Sequence, residues 1–249
     1  GAEPISLVDY IALKKNNPLL LKEITKGLAK GSKLSATPII GGETAIMPDV
    51  IEGYGNKAFD LAASAIGIIN KKTNMLNRKI KSGDIIIGLR SSGIHSNGAT
   101  LVRKVLLNKY SLRKKIYKSK RLGDILLEPT IIYSQAIMTI LNNVKSIHGL
   151  AHITGGAFTK LPRIGSSSIG FSIDLPEPPL IFDLIQRTGN ISNKEMHRTF
   201  NMGYGFVIVC PKSQHNNVVS ILDEYKIKND VIGEIFSGSG VKVNGKSVL

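Results

Sequence analysis

Residues 84–98, DIIIGLRSSGIHSNG, are the stretch of sequence that decides the fold. The apolar run 84–89 predicts a buried strand, and the run 99–107, ATLVRKVLL, predicts a helix. Between them lies a polar loop that contains glycine, residues 91–98. Such a loop directs its backbone N–H groups and the positive end of the helix dipole at one point, where phosphate oxygens are stabilised. The stretch therefore predicts a strand, a loop that binds a phosphorylated ligand, and a helix.

The same loop has a simpler interpretation. Ser96 or Asn97 could cap the following helix, and Gly93 could serve only to make a turn. Glycine loops before helices are common, so the loop alone leaves both interpretations open.

The amino-acid composition limits the classes of protein to which the chain can belong. The chain has 249 residues, 42% hydrophobic and 20% charged, which is typical of one large or two ordinary globular domains. No apolar run reaches the ~18 residues that span a bilayer, and the start has no basic region before a long apolar segment. We therefore expect a soluble, cytoplasmic protein without membrane contact. The single cysteine, Cys210, lies in an apolar run and is predicted to be a core residue.

The formal net charge of +15 raises the question of nucleic-acid binding. The basic residues are spread along the chain, aromatic residues make up only 6%, and tryptophan is absent. The densest basic cluster, residues 112–121, is typical of a solvated face. We predict that the protein does not bind nucleic acid.

Apolar spacing and turn residues predict the remaining elements. Strands are expected at 5–10, 37–40, 59–70, 146–153, 169–173, 203–210 and 231–236, and helices at 19–34, 130–142, 179–187 and 213–225, with a short helix ending at Ile164 and an Asn-Gly hairpin at 241–248. The first strand has no earlier element with which to pair. The polar turn at 79–83 places a domain boundary, which gives domains 1–83 and 84–249. The second half is predicted to be a layered α+β or α/β domain.

Glu43 is the candidate metal ligand. It follows two glycines at what the pattern predicts to be the exit of a strand, where a carboxylate can reach the Mg²⁺ of a nucleotide. Asp9 and Asp60 are weaker candidates of the same type. The alternative is a surface or capping glutamate.

Two later segments carry further polar residues. Thr154-Gly155-Gly156 forms a second glycine loop after His152, which could donate to a phosphate or be a satisfied, half-buried side chain. Arg198 lies at a passage from helix to strand and could simply pair with Glu195 on the helix.

Together these segments resemble a known family. The pattern consists of GAEP at 1–4 with LVDY at 7–10, GGETA at 41–45 with MP at 47–48, SSG at 91–93 with HSNG at 95–98, TGG at 154–156, and HRTFN at 197–201 with Gly203. In this order they resemble phosphoribosylformylglycinamidine cyclo-ligase, the aminoimidazole ribonucleotide synthetase of purine biosynthesis, over essentially the whole chain. Selenophosphate synthetase, thiamine-monophosphate kinase and formylglycinamidine ribonucleotide synthetase share the fold, but the GGETA and RTFN segments resemble the cyclo-ligase.

The resemblance implies an α+β fold of two domains. Its N-terminal half would contribute a sheet to a β-barrel shared across a homodimer, and its C-terminal half would be a layered α/β domain. It also implies an enzyme that uses ATP and Mg²⁺ to close the imidazole ring of formylglycinamidine ribonucleotide through an iminophosphate. The partners would be small molecules.

The resemblance also implies roles for individual residues. His95 and Asn97 would be catalytic, and Glu43 would serve Mg²⁺. The residues that would bind substrate or phosphate are Ser91, Ser92, Gly93, Ser96, Thr154, Gly155, Gly156 and Arg198.

The chain departs from the family pattern in two ways. The family has an upstream segment, before the position of Gly1, that carries a glycine-rich nucleotide loop, an Asp-Gly-Val-Gly-Thr-Lys motif and an Asn-Asp pair, and that segment is not part of the 249 residues. We therefore expect catalysis to require that upstream segment. Ala157 stands where a third glycine is usual, and little effect is expected. The alternatives are a non-catalytic remnant that binds a purine precursor, or a kinase or synthetase of the same superfamily.

Overall fold

The computed structural model describes residues 1–69, 80–117 and 119–248. The chain divides into two compact units. The first comprises Gly1–Asn74 with Ile132–Met138, and the second comprises Met75–Ile131 with Thr139–Leu249. The predicted domains 1–83 and 84–249 stay a prediction.

Strands and helices alternate through both units. In the described residues the strands are β1 (Glu3–Leu13), β2 (Ile39–Ile46), β3 (Phe59–Ile68), β4 (Ile85–Arg90), β5 (Lys115–Tyr117), β6 (Lys120–Arg121), β7 (Gly149–His152), β8 (Ile169–Ile173), β9 (Tyr204–Cys210), β10 (Asn229–Ser237), β11 (Val241–Val243) and β12 (Lys246–Ser247). The α-helices described are α1 (Pro18–Ser35), α2 (Ala99–Val102), α3 (Leu122–Leu126), α4 (Ser134–Asn143), α5 (Leu180–Gly189), α6 (Asn193–Thr199) and α7 (His215–Glu224). Short 3₁₀ segments lie at Gly55–Lys57, Ala157–Ile164 and Lys212–Gln214.

The first unit has a three-stranded sheet in the order β2-β1-β3, with β1 parallel to β2 and antiparallel to β3. Helix α1 packs on one face of this sheet, where Ile11, Leu13 and Ile24 form a small buried cluster. Asn17 caps the helix by accepting a hydrogen bond from the Leu20 N–H at 3.1 Å. The prediction of α1 is confirmed. The first strand, β1, pairs with two later strands, β2 and β3, one on each side.

The predicted strands 59–70 and 37–40 of the first unit have different outcomes. Strand β3 is confirmed, although Asn70, the last residue of the predicted segment, lies outside the described residues. The prediction that a short strand ends at residue 40 is wrong, because β2 continues to Ile46. Its two glycines and Glu43 therefore lie within a strand that pairs with β1, and not at a strand exit. Glycine is tolerated there because β1 approaches closely: a Cβ on Gly42 would lie 2.5 Å from the Asp9 carbonyl oxygen.

The second unit is built on a mixed sheet in the order β12-β11-β8-β10-β4-β9-β7 among the described residues. Its neighbouring strands are antiparallel except for the pair β8 and β11. Strand β4 lies inside the sheet, and its apolar run is almost entirely buried, as predicted. The largest fully buried side chains of this core include Phe158, Phe171, Phe182, Phe200 and Tyr204. This arrangement confirms an α+β fold.

Several boundaries differ from the predictions. The predicted helix 99–107 is α2 followed by a wider π-helical segment, Arg103–Leu107. Helix α4 begins at Ser134, four residues later than predicted. The small hairpin β5–β6 lies within the basic cluster 112–121, where charge obscures any alternating pattern. The Asn-Gly hairpin is confirmed, with positive φ at Asn244 and Gly245.

Cys210 is fully buried in β9, and burial, followed by the nearby Asp84 carboxylate, raises the pKa of its thiol to about 12. It is a core residue, as predicted. In the residues that the structure describes, no helix combines the length and the apolar character needed to cross a bilayer. The cytoplasmic location and the expectation of no nucleic-acid binding stay predictions.

Candidate functional site

The buried side-chain amide of Asn201 anchors the start of the loop that follows β4. Its Oδ1 accepts hydrogen bonds from the Ser91 hydroxyl at 2.9 Å and from the Gly203 N–H at 2.8 Å, and its Nδ2 donates to the Gly93 carbonyl at 2.9 Å. The Ser91 N–H also donates to the Gly203 carbonyl at 2.9 Å. Asn201 is 3% exposed. The Asn201 side chain therefore fixes the path of residues 91–93 from a segment more than a hundred positions later in the chain.

The end of the loop rests on Phe200. Gly98 has a φ of 76°, and a Cβ on it would lie 2.9 Å from the Cζ atom of the buried Phe200 ring. Both the positive φ and this close contact require glycine at position 98. The Gly98 carbonyl then accepts the first helical bond of α2, from the Val102 N–H at 2.9 Å. Phe200 and Asn201 thus support the two ends of the same loop.

His95 shapes the middle of the loop. Its backbone has a φ of 55°, and its Nε2 accepts a hydrogen bond from the Ser92 N–H at 3.1 Å. Burial, and next the nearby His152, lower the pKa of His95 to about 4. The ring is therefore neutral near pH 7, with its proton on Nδ1 because Nε2 accepts. His95 acts here through hydrogen bonding and not as a cation.

The second glycine loop, Thr154-Gly155-Gly156, lies against the first. The Asn97 Nδ2 donates to the Thr154 hydroxyl oxygen at 2.5 Å. A Cβ on Gly155 would lie 3.3 Å from the Asn97 Oδ1, so a larger residue would crowd the amide. The structure therefore brings together the two loops that the sequence indicated separately.

Ala157 has a backbone conformation that favours glycine, and the expectation that alanine there has little effect stays a prediction. Its φ is 39°, within the left-handed region that favours glycine, and it directly follows Gly156, whose φ is 87°. A left-handed alanine costs about 1 kcal/mol. The family's usual glycine would avoid this cost.

Lys160 is a residue of this site that the sequence analysis missed. Its aliphatic stem folds back over Gly156, so that a Cβ there would lie 2.8 Å from both its Cγ and its Cδ. Its Nζ lies 3.8 Å from where a Cβ on Gly155 would stand. A lysine four residues beyond a glycine loop is a weak signal in sequence, because only the 3₁₀ turn at Ala157–Ile164 brings it back.

A charged cluster supports the first loop from the end of β4. Arg90 pairs with Asp230 (Nε to Oδ2, 2.6 Å) and lies over the Tyr204 ring, 4.4 Å from its centroid. The Tyr204 hydroxyl donates to the same Asp230 oxygen at 3.0 Å. A cavity of about 750 Å³ beside Ser91 is lined in part by Arg90 and Asp230. Their contacts join β4, β9 and β10 just before the loop, and no local pattern predicts them because the three residues lie far apart in the chain.

Arg198 is placed as the simpler interpretation predicted. Its Nη2 forms an ion pair with Glu195 at 2.6 Å along α6, and in the described residues it makes no hydrogen bond to either loop.

Burial lowers the pKa of His152. Burial also lowers the pKa of His197, against the opposing effect of its bond to the Asn193 carbonyl. Around the loops these imidazoles are therefore uncharged near neutral pH.

The acidic candidates of the first unit do not converge. Glu43 lies opposite Tyr10 and Asp9 lies opposite Gly42 in the same strand pair, so the two carboxylates point to opposite faces of the sheet. Asp60 is on β3, opposite Ala12, about 10 Å across the sheet from β2. The Glu43 Oε1 accepts from the Thr44 N–H at 2.9 Å. Among the described residues no group of three or more His, Cys, Asp or Glu could hold a metal ion.

The structure therefore places most of the candidate residues in one region of the second unit. The residues of that region are Ser91, Ser92, Gly93, His95, Ser96, Asn97, Thr154, Gly155 and Gly156. Arg198 is engaged elsewhere, and Glu43 belongs to the first unit. The backbone N–H and hydroxyl donors of glycine loops suit an anionic ligand.

Two family models match the chain. Residues 1–69 match the N-terminal domain of AIR synthase related proteins, and residues 81–246 match the C-terminal domain. The curated phosphoribosylformylglycinamidine cyclo-ligase of Thermococcus kodakarensis is 43% identical over 248 residues, and that of Pyrococcus furiosus is 45% identical over 248 residues. Each alignment covers 100% of this chain and 71% of the relative.

Solved structures resemble the fold at lower identity. A hydrogenase maturation protein HypE in complex with ATP matches with a TM-score of 0.66 at 17% identity, covering 99% of this chain and 72% of that chain. Thiamine-monophosphate kinase from Stenotrophomonas maltophilia matches with a TM-score of 0.68 at 15% identity, covering 99% and 73%. At this identity the likeness concerns the fold alone.

Replacing Asn201 with alanine is expected to lower the free energy of unfolding by about 3 kcal/mol, because the Ser91 hydroxyl, the Gly203 N–H and the Gly93 carbonyl lose a buried partner. Asn217→Ala, on the exposed side of α7, is the control and should change it by less than about 0.5 kcal/mol. Urea unfolding measures both. Equal effects of the two substitutions would contradict the anchoring role of Asn201.

The low pKa of His95 predicts a dependence of stability on pH. Between pH 6.5 and pH 4 the unfolded chain binds more protons at this residue than the folded chain does, so its contribution to stability is present above pH 6.5 and is lost as pH falls towards 4. In His95→Asn, whose side chain tolerates positive φ, the free energy of unfolding should fall less over this range than in the wild type. His215→Asn, whose ring bonds the adjacent Asn216, is the control. Identical slopes for wild type and His95→Asn would refute the assignment.

Proposed function

Because this chain belongs to the phosphoribosylformylglycinamidine cyclo-ligase family, we propose that it carries out the ATP-dependent ring closure of formylglycinamidine ribonucleotide to aminoimidazole ribonucleotide in purine biosynthesis. The observation that carries the proposal is 43–45% identity to cyclo-ligases along the entire chain. The chain spans 71% of the length of these relatives.

The alternative activities are less well supported. A kinase or synthetase of the same superfamily would be expected to resemble the chain in sequence, but the thiamine-monophosphate kinase structure is only 15% identical. A non-catalytic remnant is less well supported, because the identity to cyclo-ligases extends along the entire chain. Neither alternative is favoured.

ATP serves to make a poor leaving group into a good one. Phosphorylation of the formyl oxygen gives an iminophosphate, the amidine nitrogen attacks the activated carbon, and inorganic phosphate leaves. Fixed N–H donors lower the barrier by stabilising the negative charge that develops on the transferring group.

The residues of the second unit would bind and orient the phosphorylated substrate. Ser92, Gly93 and Ser96 would offer donors from the first loop, and Gly155 and Gly156 would let the ligand approach the backbone of the second. His95 and Asn97 are the proposed catalytic pair. With a neutral ring whose Nε2 is engaged, His95 would hold its proton on Nδ1 and contribute a hydrogen bond.

Mg²⁺ would neutralise phosphate charge in the bound nucleotide. It usually keeps several water ligands and takes one or two carboxylates. The single carboxylate of Glu43 fits that requirement as one ligand, while Asp9 faces away from it. We therefore keep Glu43 as the proposed metal ligand and do not add Asp9.

The first unit has the surface expected of a dimer. On the face of its sheet opposite α1, Val8, Tyr10, Ile66 and Ile68 are 36–62% exposed and lie on neighbouring strands. An apolar sheet face of this kind is costly in water and is usually covered. We propose that a second copy of this chain covers it, which corresponds to the shared β-barrel implied by the family resemblance.

The function is tested by an assay for ATP-dependent formation of aminoimidazole ribonucleotide. The 249-residue chain is compared with a version extended upstream of Gly1 by the Asp-Gly-Val-Gly-Thr-Lys segment of a relative. We expect turnover in the extended protein and little in the shorter chain, because the extension supplies the nucleotide loop. If neither protein turns over and thiamine monophosphate is phosphorylated instead, the cyclo-ligase proposal is wrong.

The dimer is tested by sedimentation velocity. Ile66→Lys should convert the dimer to a monomer, because it places a charge on the apolar face. Leu19→Lys is the matched control, since Leu19 is 77% exposed on α1 and lies on another surface. A monomeric wild-type chain, or an Ile66→Lys variant that remains dimeric, would contradict the proposal.

A further inference from the structure

We propose that Lys160 completes an anion subsite between the two glycine loops and binds the phosphate monoester of the substrate. This inference rests on the proposed function, because it names the side chain that recognises the charged group of that substrate. Lys160 lies outside the segments on which the family resemblance rests.

The position of the ammonium group is set by the glycine loop beneath it. The stem of Lys160 lies on the bare Cα of Gly156, whose φ of 87° and missing side chain both make room for it. From there the Nζ reaches the outer side of Gly155, 3.8 Å from the site of a Cβ. A lysine in solution samples many rotamers, so a stem that is held against a glycine loses less entropy when it binds a ligand.

The same side of Gly155 faces the Asn97 amide. The Asn97 Oδ1 lies 3.3 Å from the Cβ position of Gly155, and its Nδ2 is used in the bond to Thr154. The Thr154 hydroxyl accepts that bond and keeps its own hydrogen for donation. Gly155 is thus flanked by an ammonium donor and an amide acceptor, next to a hydroxyl donor.

The charge of Lys160 is not balanced by the protein. Among the described residues no carboxylate lies within ion-pair distance of it, and Arg198, the other candidate cation, is already paired with Glu195. Burial lowers the pKa values of His95 and His152, so these rings add no positive charge near pH 7. Lys160 is therefore the cation that an anion between the loops would meet.

These groups define the chemical class of the ligand. The ammonium of Lys160 and the hydroxyl of Thr154 suit the oxygens of a phosphate. The Asn97 Oδ1 suits a neighbouring O–H or N–H of the same ligand. A sugar phosphate carries both kinds of group, whereas inorganic phosphate offers few donors at neutral pH. The subsite is accordingly assigned to a ribose phosphate and not to free phosphate.

The test is calorimetric titration of ribose 5-phosphate into the full 249-residue chain. Lys160→Met keeps the length of the stem and removes the charge, and it should weaken binding about tenfold, the loss expected for one charged hydrogen bond. Lys160→Arg should recover part of the affinity. Lys212→Met, at an exposed lysine of the second unit, is the control and should bind like the wild type. Ribose without phosphate should not distinguish the variants.

The proposal is overturned if Lys160→Met binds ribose 5-phosphate as tightly as the wild type, or if the wild type does not bind it. Lys160 is exposed, so the variants are expected to fold, and circular dichroism checks this. The outcome is separable from the proposed function. Turnover with an unchanged KM in an extended Lys160→Met enzyme would refute the subsite alone, whereas Lys160-dependent binding without any turnover would refute the cyclo-ligase activity alone.

Discussion

The buried amide of Asn201 is the interaction on which the candidate site depends. It joins the start of the loop after β4 to the turn before β9, and each of its polar atoms is satisfied by Ser91, Gly93 or Gly203. A buried amide with all its partners in place specifies one arrangement, because any other leaves polar groups unpaired. The adjacent Phe200 ring supports the far end of the loop at Gly98. Together these two residues give the loop a fixed shape before any ligand binds.

That shape includes backbone conformations that are costly for residues other than glycine. His95, Gly98, Gly156 and Ala157 all have positive φ, and they cluster in the two loops that face a common space. Strain of this kind is concentrated at functional sites when the surroundings hold it in place. Here the surroundings are the core beneath the loops and the Arg90–Asp230 pair beside them. The loops can therefore present donors to an anion without reorganising.

The electrostatics of the site differ from what the net charge suggests. The basic residues behind the net charge of +15 are spread along the sequence, whereas burial lowers the pKa values of the imidazoles at the loops and keeps them neutral. Among the described residues, Lys160 brings an uncompensated positive charge to the second loop, and its position is set by Gly156. In the first unit the acidic residues Glu43 and Asp9 are adjacent in register, but their side chains point to opposite faces of the sheet, so they cannot act on one ligand together. Local geometry, and not overall charge, decides which groups can act together.

The sequence by itself determined the local elements and the family. The apolar run of β4, the period of α1 and the Asn-Gly turn at Asn244 are local signals, and each predicted its element because hydrophobic spacing and turn chemistry act over a few residues. The tertiary structure decided the rest. That Glu43 lies within a strand, that Asn201 holds Ser91, and that Lys160 returns to Gly155 depend on strand pairing and on contacts between residues far apart in the chain. Such contacts leave no periodic trace in the sequence, since their free energy arises only once the sheet has formed.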